Sequence, residues 1–205
     1  MIAVIDYGAG NLRSVTNALL KLGCHPTVTS KPDVVLKADA VIFPGVGAAR
    51  DVMSSLKKSK LDNAIKEFIG TGKPFLGVCI GMQVLLSSTE EDGGHACLGI
   101  VPGTVKRLPQ GIKVPHMGWN QVKQKTSHPI FDGIPDNENF YFVHSYYANP
   151  DDASVQIGAT EYGVNICSVL SKGNLIATQF HPERSDKYGL KFYGNFLKLA
   201  GIGTD

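Results

Sequence analysis

The segment Gly77-Val-Cys79-Ile-Gly81-Met-Gln83 constrains this chain most, because it forces a strand to turn sharply into a helix around a nucleophile. Phe75 to Val78 is a short apolar strand signal, and Met82 to Ser87 is a helix-compatible run. Between them stands a cysteine with glycine two residues away on each side. This G-x-C-x-G spacing is the thiol counterpart of G-x-S-x-G, where a strained strand-to-helix turn lifts the nucleophile above the sheet. Glycine is needed at both flanks because the chain segments approach too closely for a Cβ. The free N–H groups at the helix start, with its dipole, favour thiolate over thiol. The same groups, Ile80 first, can face the oxyanion of an acyl intermediate. A small cysteine buried in a tight turn is the reading these residues alone leave open.

A thiolate needs a base, and His181 is the histidine in the most suggestive setting. It closes the apolar run Asn174 to Phe180 and precedes Pro182 and Glu183. Proline biases the residue before it toward an extended backbone. Residues two apart on an extended chain project to one side, so His181 and Glu183 are expected to face together. A carboxylate beside an imidazole fixes its tautomer and stabilises the imidazolium. Cys79, His181 and Glu183 thus form a candidate nucleophile, base and orienting group, able to meet across adjacent strands. An ordinary strand-end histidine is the plainer alternative.

Strand and helix signals alternate through the first half: Ile2–Asp6, helix Leu12–Leu22, Pro26–Thr29, Ala40–Phe43, helices near Arg50–Leu56 and Leu61–Ile69, then Phe75–Val78. Such a series implies a parallel sheet with helices on both faces. From Ile100 to Ile176 short alternating runs (Val101–Arg107, Tyr141–Tyr147, Ser154–Thr160, Ile166–Leu170) predict antiparallel or mixed strands, and Asp186–Leu199 predicts a covering helix. One domain over residues 1–205 is expected, with no repeat or low-complexity linker. Gly8-Ala-Gly10 lacks the last glycine of G-x-G-x-x-G, since position 13 is arginine; it reads as a tight turn capped by Asn11. The net charge of +2 makes no case for nucleic acid, and Lys57-Lys-Ser-Lys60 reads as a solvated helix end. The four cysteines form no CxxC pair, and no signal peptide or long apolar run is evident. A reducing, cytoplasmic setting away from membranes is therefore expected, with Cys24, Cys97 and Cys167 as packing residues.

With Pro44-Gly-Val-Gly47, Gly77–Gln83 and Gln179-Phe-His-Pro-Glu183 together, the chain resembles the class I (triad) glutamine amidotransferases from its first strand to its last helix. The resemblance implies a flavodoxin-like α/β sandwich with a mostly parallel central sheet, a nucleophile elbow and additional antiparallel strands. It implies glutamine hydrolysis to glutamate and ammonia by Cys79, His181 and Glu183, with no metal or organic cofactor called for. Val46 and Ile80 would supply the oxyanion hole, and Gly47, Gln83, Ser145 and Tyr146 would hold the glutamine. Asp6–Asn11, Leu98–Gly103, Pro115–Asn120 and Phe142–Tyr146 resemble the branch that serves imidazole glycerol phosphate synthesis in histidine biosynthesis. That branch implies a separate (β/α)8-barrel cyclase/synthase subunit as partner in a heterodimer, receiving ammonia through a protected tunnel and regulating the glutaminase allosterically. Asn11, Met117, Trp119, Asn120 and Tyr141 are the candidate partner face; for the aromatic pair a core role is the alternative. Two other functions stay open: ammonia supply to a different synthase, and a peptidase, thiol sensor or silent binding subunit built on the same elbow.

Overall fold

The computed structural model describes residues 1–203. Its first half runs β1 (Ile2–Ile5), α1 (Leu12–Lys21), β2 (Thr27–Thr29), α2 (Pro32–Lys37), β3 (Ala40–Phe43), α3 (Ala49–Ser59), α4 (Leu61–Gly70) and β4 (Phe75–Val78). Strands β1, β3 and β4 are buried along their whole length, as expected for parallel strands covered on both faces. The two-residue period divides them between two cores. Ile2, Val4, Ile42 and Val78 pack on the side of α1 and the C-terminal helix, while Ala3, Ile5, Phe43 and Phe75 pack on the side of α3 and α4. Helix α1 stops at Lys21, one residue short of expectation, ahead of Gly23 at φ 74°. Helix α2 was not anticipated, since Val35 is its one buried residue and leaves no period to read. The exposed Lys57 and Lys58 close α3, where positive charge complements the helix dipole.

The second half departs further from expectation. The elbow helix α5 (Ile80–Gln83) is a single turn, and its predicted continuation becomes strand β5 (Leu86–Thr89). Leu86 pairs with Val101 in β7 (Val101–Arg107), so sheet pairing overrides the helical propensity of the Leu-Leu run. Beyond β6 (His95–Ala96) lie β8 (His116–Gln124), β9 (Glu138–His144), β10 (Tyr146–Pro150), β11 (Gln156–Glu161), β12 (Asn165–Lys172), β13 (Leu175–Thr178) and α6 (Asp186–Leu199). The run Tyr141–Tyr147, expected as one strand, breaks at Ser145. Its first part lies in a nine-stranded sheet, β2-β1-β3-β4-β13-β12-β11-β8-β9, and its second in a four-stranded sheet, β10-β7-β5-β6. The large sheet is mixed rather than mostly parallel, because the later strands return as antiparallel neighbours: four of its pairings are parallel and four antiparallel.

One pairing positions everything that follows. Strand β13 lies parallel to β4, with Thr178 opposite Val78. The residues just past both C-terminal ends therefore emerge side by side, at the edge where open α/β sheets bind ligands.

Candidate active site

Cys79 sits at φ 54°, ψ −106°, a conformation costly for any residue with a Cβ. Its N–H donates to Thr178 O at 2.7 Å, which anchors the turn to β13. The flanking glycines are required by contact: a Cβ on Gly81 would lie 2.1 Å from Phe43 O, and one on Gly77 would lie 2.8 Å from Gly81 O. The strain at Cys79 is thus imposed by backbone packed against β3.

The neighbouring strand end delivers the imidazole. His181 is extended, as Pro182 requires, and its N–H donates to Tyr141 O at 2.9 Å. Residues Pro182–Arg184 then form a 3-10 turn. Glu183 meets His181 through that turn and not through the strand alternation expected from the sequence. His181 Nδ1 lies 2.7 Å from Glu183 Oε1, both side chains being almost wholly buried. Two further donors converge on the carboxylate: Asn11 Nδ2 on Oε1 and Tyr193 OH on Oε2, each at 3.2 Å. Burial would raise the Glu183 carboxyl, but the His181 hydrogen bond and charge, with Asn11, outweigh it and hold the group low. For His181 burial again opposes the charge, and the Cys79 thiolate followed by Glu183 carries the imidazole up to about 10. His181 Nε2 has no partner by strict hydrogen-bond geometry, yet the sulfur acts on the ring as charge and acceptor. The latter describes the pair better, since a large polarizable sulfur tolerates a poor angle.

In front of Cys79 opens a cavity of about 260 Å³. Val46, Gly47, Ile80, Gln83, Ser145 and Tyr146 all line it, so the expected oxyanion and glutamine positions converge on the thiol. Ile80 N–H, at the first position of a helix, has no intrahelical acceptor and makes no turn or side-chain hydrogen bond among the described residues. Val46 differs from expectation. Its N–H donates to Tyr7 OH at 3.0 Å, and that hydroxyl donates to Val46 O at 2.9 Å. The peptide is turned to Tyr7, so Val46 is a cavity-wall residue and not a second oxyanion donor in this conformation.

Three cavity-side residues were assigned no role from the sequence, although Gln179 and His144 stand inside the segments that carry the resemblance. Gln179 Nε2 reaches Cys79 Sγ at 3.7 Å, and Gln179 Oε1 accepts from Gln83 Nε2 at 3.2 Å. Glu91 contributes a carboxylate to the wall while accepting from Ala49 N–H at 2.6 Å. His144 also lines the cavity: its Nδ1 meets Tyr146 O and its Nε2 meets His116 Nδ1, each at 3.0 Å. Burial takes His144 down to about 3 and His116 down to about 4, which leaves both rings neutral. Asn120 Nδ2 donates to His116 Nε2 and to Glu161 O, each at 3.2 Å. Neutral tautomers with the proton on Nδ1 satisfy the whole chain from Asn120 to the Tyr146 carbonyl.

The candidate partner residues divide. Met117 and Trp119 project from β8 at 61% and 51% exposure, and Trp119 meets Tyr141 of edge strand β9 edge-on at 6.1 Å between centroids. Asn120 is half-buried in the histidine chain, and Asn11 is turned to Glu183 in place of capping α1. Among the described residues no group of His, Cys, Asp or Glu is placed to hold a metal ion, and no helix is long and apolar enough to cross a membrane.

Comparison with known proteins gives a consistent result. The family model "Glutamine amidotransferase class-I" matches residues 3–198. Imidazole glycerol phosphate synthase subunit HisH of Dehalococcoides mccartyi (strain CBDB1) is 58% identical over 200 residues, covering 98% of each chain. The protein of that name from Herpetosiphon aurantiacus is 50% identical over 200 residues, covering 98% of this chain and 95% of its own. A solved glutamine amidotransferase, 18% identical, superposes with a TM-score of 0.78 over 98% of this chain and 100% of that one, a likeness of fold.

Proposed function

The chain belongs to the class I glutamine amidotransferase family, and from that premise we propose that it is the glutaminase subunit of an imidazole glycerol phosphate synthase. The observation that carries the chemistry is the cavity that ends on Cys79, with the His181–Glu183 pair buried behind it. Glutamine enters with its side-chain carbonyl at Cys79 Sγ. The thiolate attacks, the carbonyl oxygen takes the negative charge beside Ile80 N–H, and His181 gives its proton to the departing nitrogen. Ammonia leaves and a glutamyl thioester remains. His181 then takes a proton from water, hydroxide adds to the thioester, and glutamate departs as the thiolate is restored. The amide of Gln83 and the backbone at Ser145 and Tyr146 orient the substrate, and the Glu91 carboxylate matches its α-ammonium group.

The ammonia is to be used elsewhere. Relatives 58% and 50% identical bear the name of a synthase subunit, which supports a partner. We assign that role to a (β/α)8-barrel cyclase, docked on the Met117, Trp119 and Tyr141 face, which converts the ammonia and a phosphoribosyl-formimino intermediate into imidazole glycerol phosphate and aminoimidazole carboxamide ribotide. Residues 1–205 then act as one amidotransferase domain in the cytoplasm. The test is a glutaminase assay of the chain alone and with the barrel subunit and its nucleotide ligand. Glutamate release that depends on Cys79 is expected; none in any combination would overturn the proposal.

A further inference from the structure

A column of polar side chains leads from β8 to the cavity, and the carbonyl groups at its two ends fix every proton in it. At the cavity end, the Tyr146 carbonyl faces His144 Nδ1 at 3.0 Å and Gln83 Nε2 at 2.7 Å. A carbonyl only accepts. His144 must therefore carry a proton on Nδ1, and Gln83 must turn its NH2 toward Tyr146. At the far end, Asn120 Nδ2 donates to the Glu161 carbonyl at 3.2 Å, while its Oδ1 accepts from Gln121 N–H at 2.8 Å. The same Nδ2 lies 3.2 Å from His116 Nε2, which must accept. Burial keeps both imidazoles neutral, so the proton of His116 sits on Nδ1 and is donated to His144 Nε2 at 3.0 Å. The Gln83 NH2 has a second acceptor in Gln179 Oε1 at 3.2 Å. Both of its N–H groups are thereby committed within the protein, and Oε1 is the polar atom that Gln83 can offer to the cavity it lines.

We propose that His144 is a positioning residue for substrate recognition: by donating to the Tyr146 carbonyl it holds the Gln83 amide with Oε1 toward the cavity, where it accepts an N–H of glutamine. This deepens the proposed glutaminase function and rests on it.

The surroundings make His144 the controlling member. It closes β9 and Tyr146 opens β10, so its hydrogen bond spans the point where the chain passes from one sheet to the other. The bond thus clamps the segment that brings Ser145 and Tyr146 to the cavity. Behind His144, the His116 ring stacks on Phe142 at 4.8 Å and on Tyr162 at 3.9 Å between centroids. That ring is held in plane, and it holds His144 in turn. Gln83 has no comparable local restraint, because α5 is a single turn. Its amide is directed by tertiary partners alone. An amide rotated by half a turn would set its oxygen against two acceptors, Tyr146 O and Gln179 Oε1, and leave all three without a proton between them. Without His144 the Tyr146 carbonyl keeps one donor of two, and the peptide at the sheet junction can tilt away from Gln83.

His144→Asn and His144→Gln separate this role from packing. The asparagine nitrogen stands where Nδ1 stands and still reaches the Tyr146 carbonyl. The glutamine nitrogen stands where Nε2 stands and does not, although glutamine is nearer to histidine in volume. Both variants are assayed in the full chain with the barrel subunit and its nucleotide ligand. Loss of one neutral hydrogen bond corresponds to about two- to tenfold in affinity. His144→Gln is expected to raise KM for glutamine about fivefold with turnover within about twofold, the pattern of a lost ground-state contact. His144→Asn should raise KM less than about half as much. Equal shifts in the two variants, a larger shift in His144→Asn, or a fall in turnover in place of the KM change would overturn the positioning role alone. Should either variant fail to fold, nitrogen NMR of the wild-type chain still decides. Both rings should stay neutral from about pH 6 to 9 with the proton on Nδ1, and a His144 proton on Nε2 would overturn the role. No glutamine turnover by the wild-type complex would overturn the glutaminase proposal and this one with it.

Discussion

Replacing Glu183 by glutamine removes one charge from the centre of a four-residue cluster while keeping its shape. The wild-type carboxylate accepts from His181 at 2.7 Å and from Asn11 and Tyr193 at 3.2 Å each. Three donors thus converge on two acceptor oxygens. A glutamine amide offers one oxygen, and its NH2 must face a donor that has to rotate away. The imidazolium formed during attack then loses a charge-assisted hydrogen bond, worth about 1.5–3 kcal/mol. At about 1.36 kcal/mol per decade, turnover should fall about 10- to 100-fold. Glu183 does not line the glutamine cavity, so KM should stay within about twofold. The assay is steady-state glutamate release by the Glu183→Gln chain with its partner, beside a thermal melt to show that the variant is folded. Full turnover, or a raised KM with normal turnover, would refute the orienting role.

Four more outcomes follow from the same geometry. A glutamine-analogue electrophile should label Cys79 first, because burial pushes the Cys97 and Cys167 thiols up to about 11 and 12 and raises Cys24; peptide mass spectrometry reads this, and preferential labelling of another cysteine would remove Cys79 as nucleophile. Nitrogen NMR should show His181 still protonated at pH 8, and Cys79→Ser should lower its pKa, because a nearby negative charge is what holds the proton on; an unmoved titration would break the proposed pairing. Gly81→Ala forces a Cβ to 2.1 Å from Phe43 O, so urea unfolding should show about 1–3 kcal/mol lost, and a stable, active variant would contradict the elbow geometry. Finally, turnover of the isolated chain should be low and should rise far more than glutamine affinity changes when the barrel subunit and its ligand are added; equal turnover in all three states would rule out gating by the partner.

The elbow was readable from sequence because every part of it lies within one turn of chain. Gly77, Cys79 and Gly81 are required by contacts that a short-range pattern encodes, and the backbone strain at Cys79 is where that pattern put it. The pairing of His181 with Glu183 was anticipated for a different reason from the one observed. Proline does extend His181, but the 3-10 turn after it brings the carboxylate round. What failed was inference across sheets. Nothing local marks Ser145 as the point where the chain leaves one sheet for another, since Tyr141–Tyr147 reads as an unbroken strand. Its consequence is functional: the break presents Ser145 and Tyr146 to the cavity from the seam between two sheets.

Tyr7, Gln179 and Tyr193 were given no role from the sequence, although Tyr7 and Gln179 stand in segments that carry the resemblance. Each looks like packing in its own segment: an aromatic after β1, a polar residue at the end of an apolar strand, an aromatic on the buried face of α6. For Tyr7 and Gln179 the polar atoms acquire roles from what the sheet order sets beside them. Strand β13 next to β4 brings Gln179 to a cysteine 100 residues earlier. Strand β1 beside β3 brings Tyr7 to Val46, 39 residues later, whereas Tyr193 reaches Glu183, ten residues earlier, where α6 follows the 3-10 turn. A nucleophile can be recognised by the turn that strains it. The groups that tune it are buried and must be satisfied by distant partners, so their identity is set by strand order. Cys79 is legible within its own turn, whereas the hydroxyl that pairs with the Val46 backbone is legible only once β1 stands beside β3.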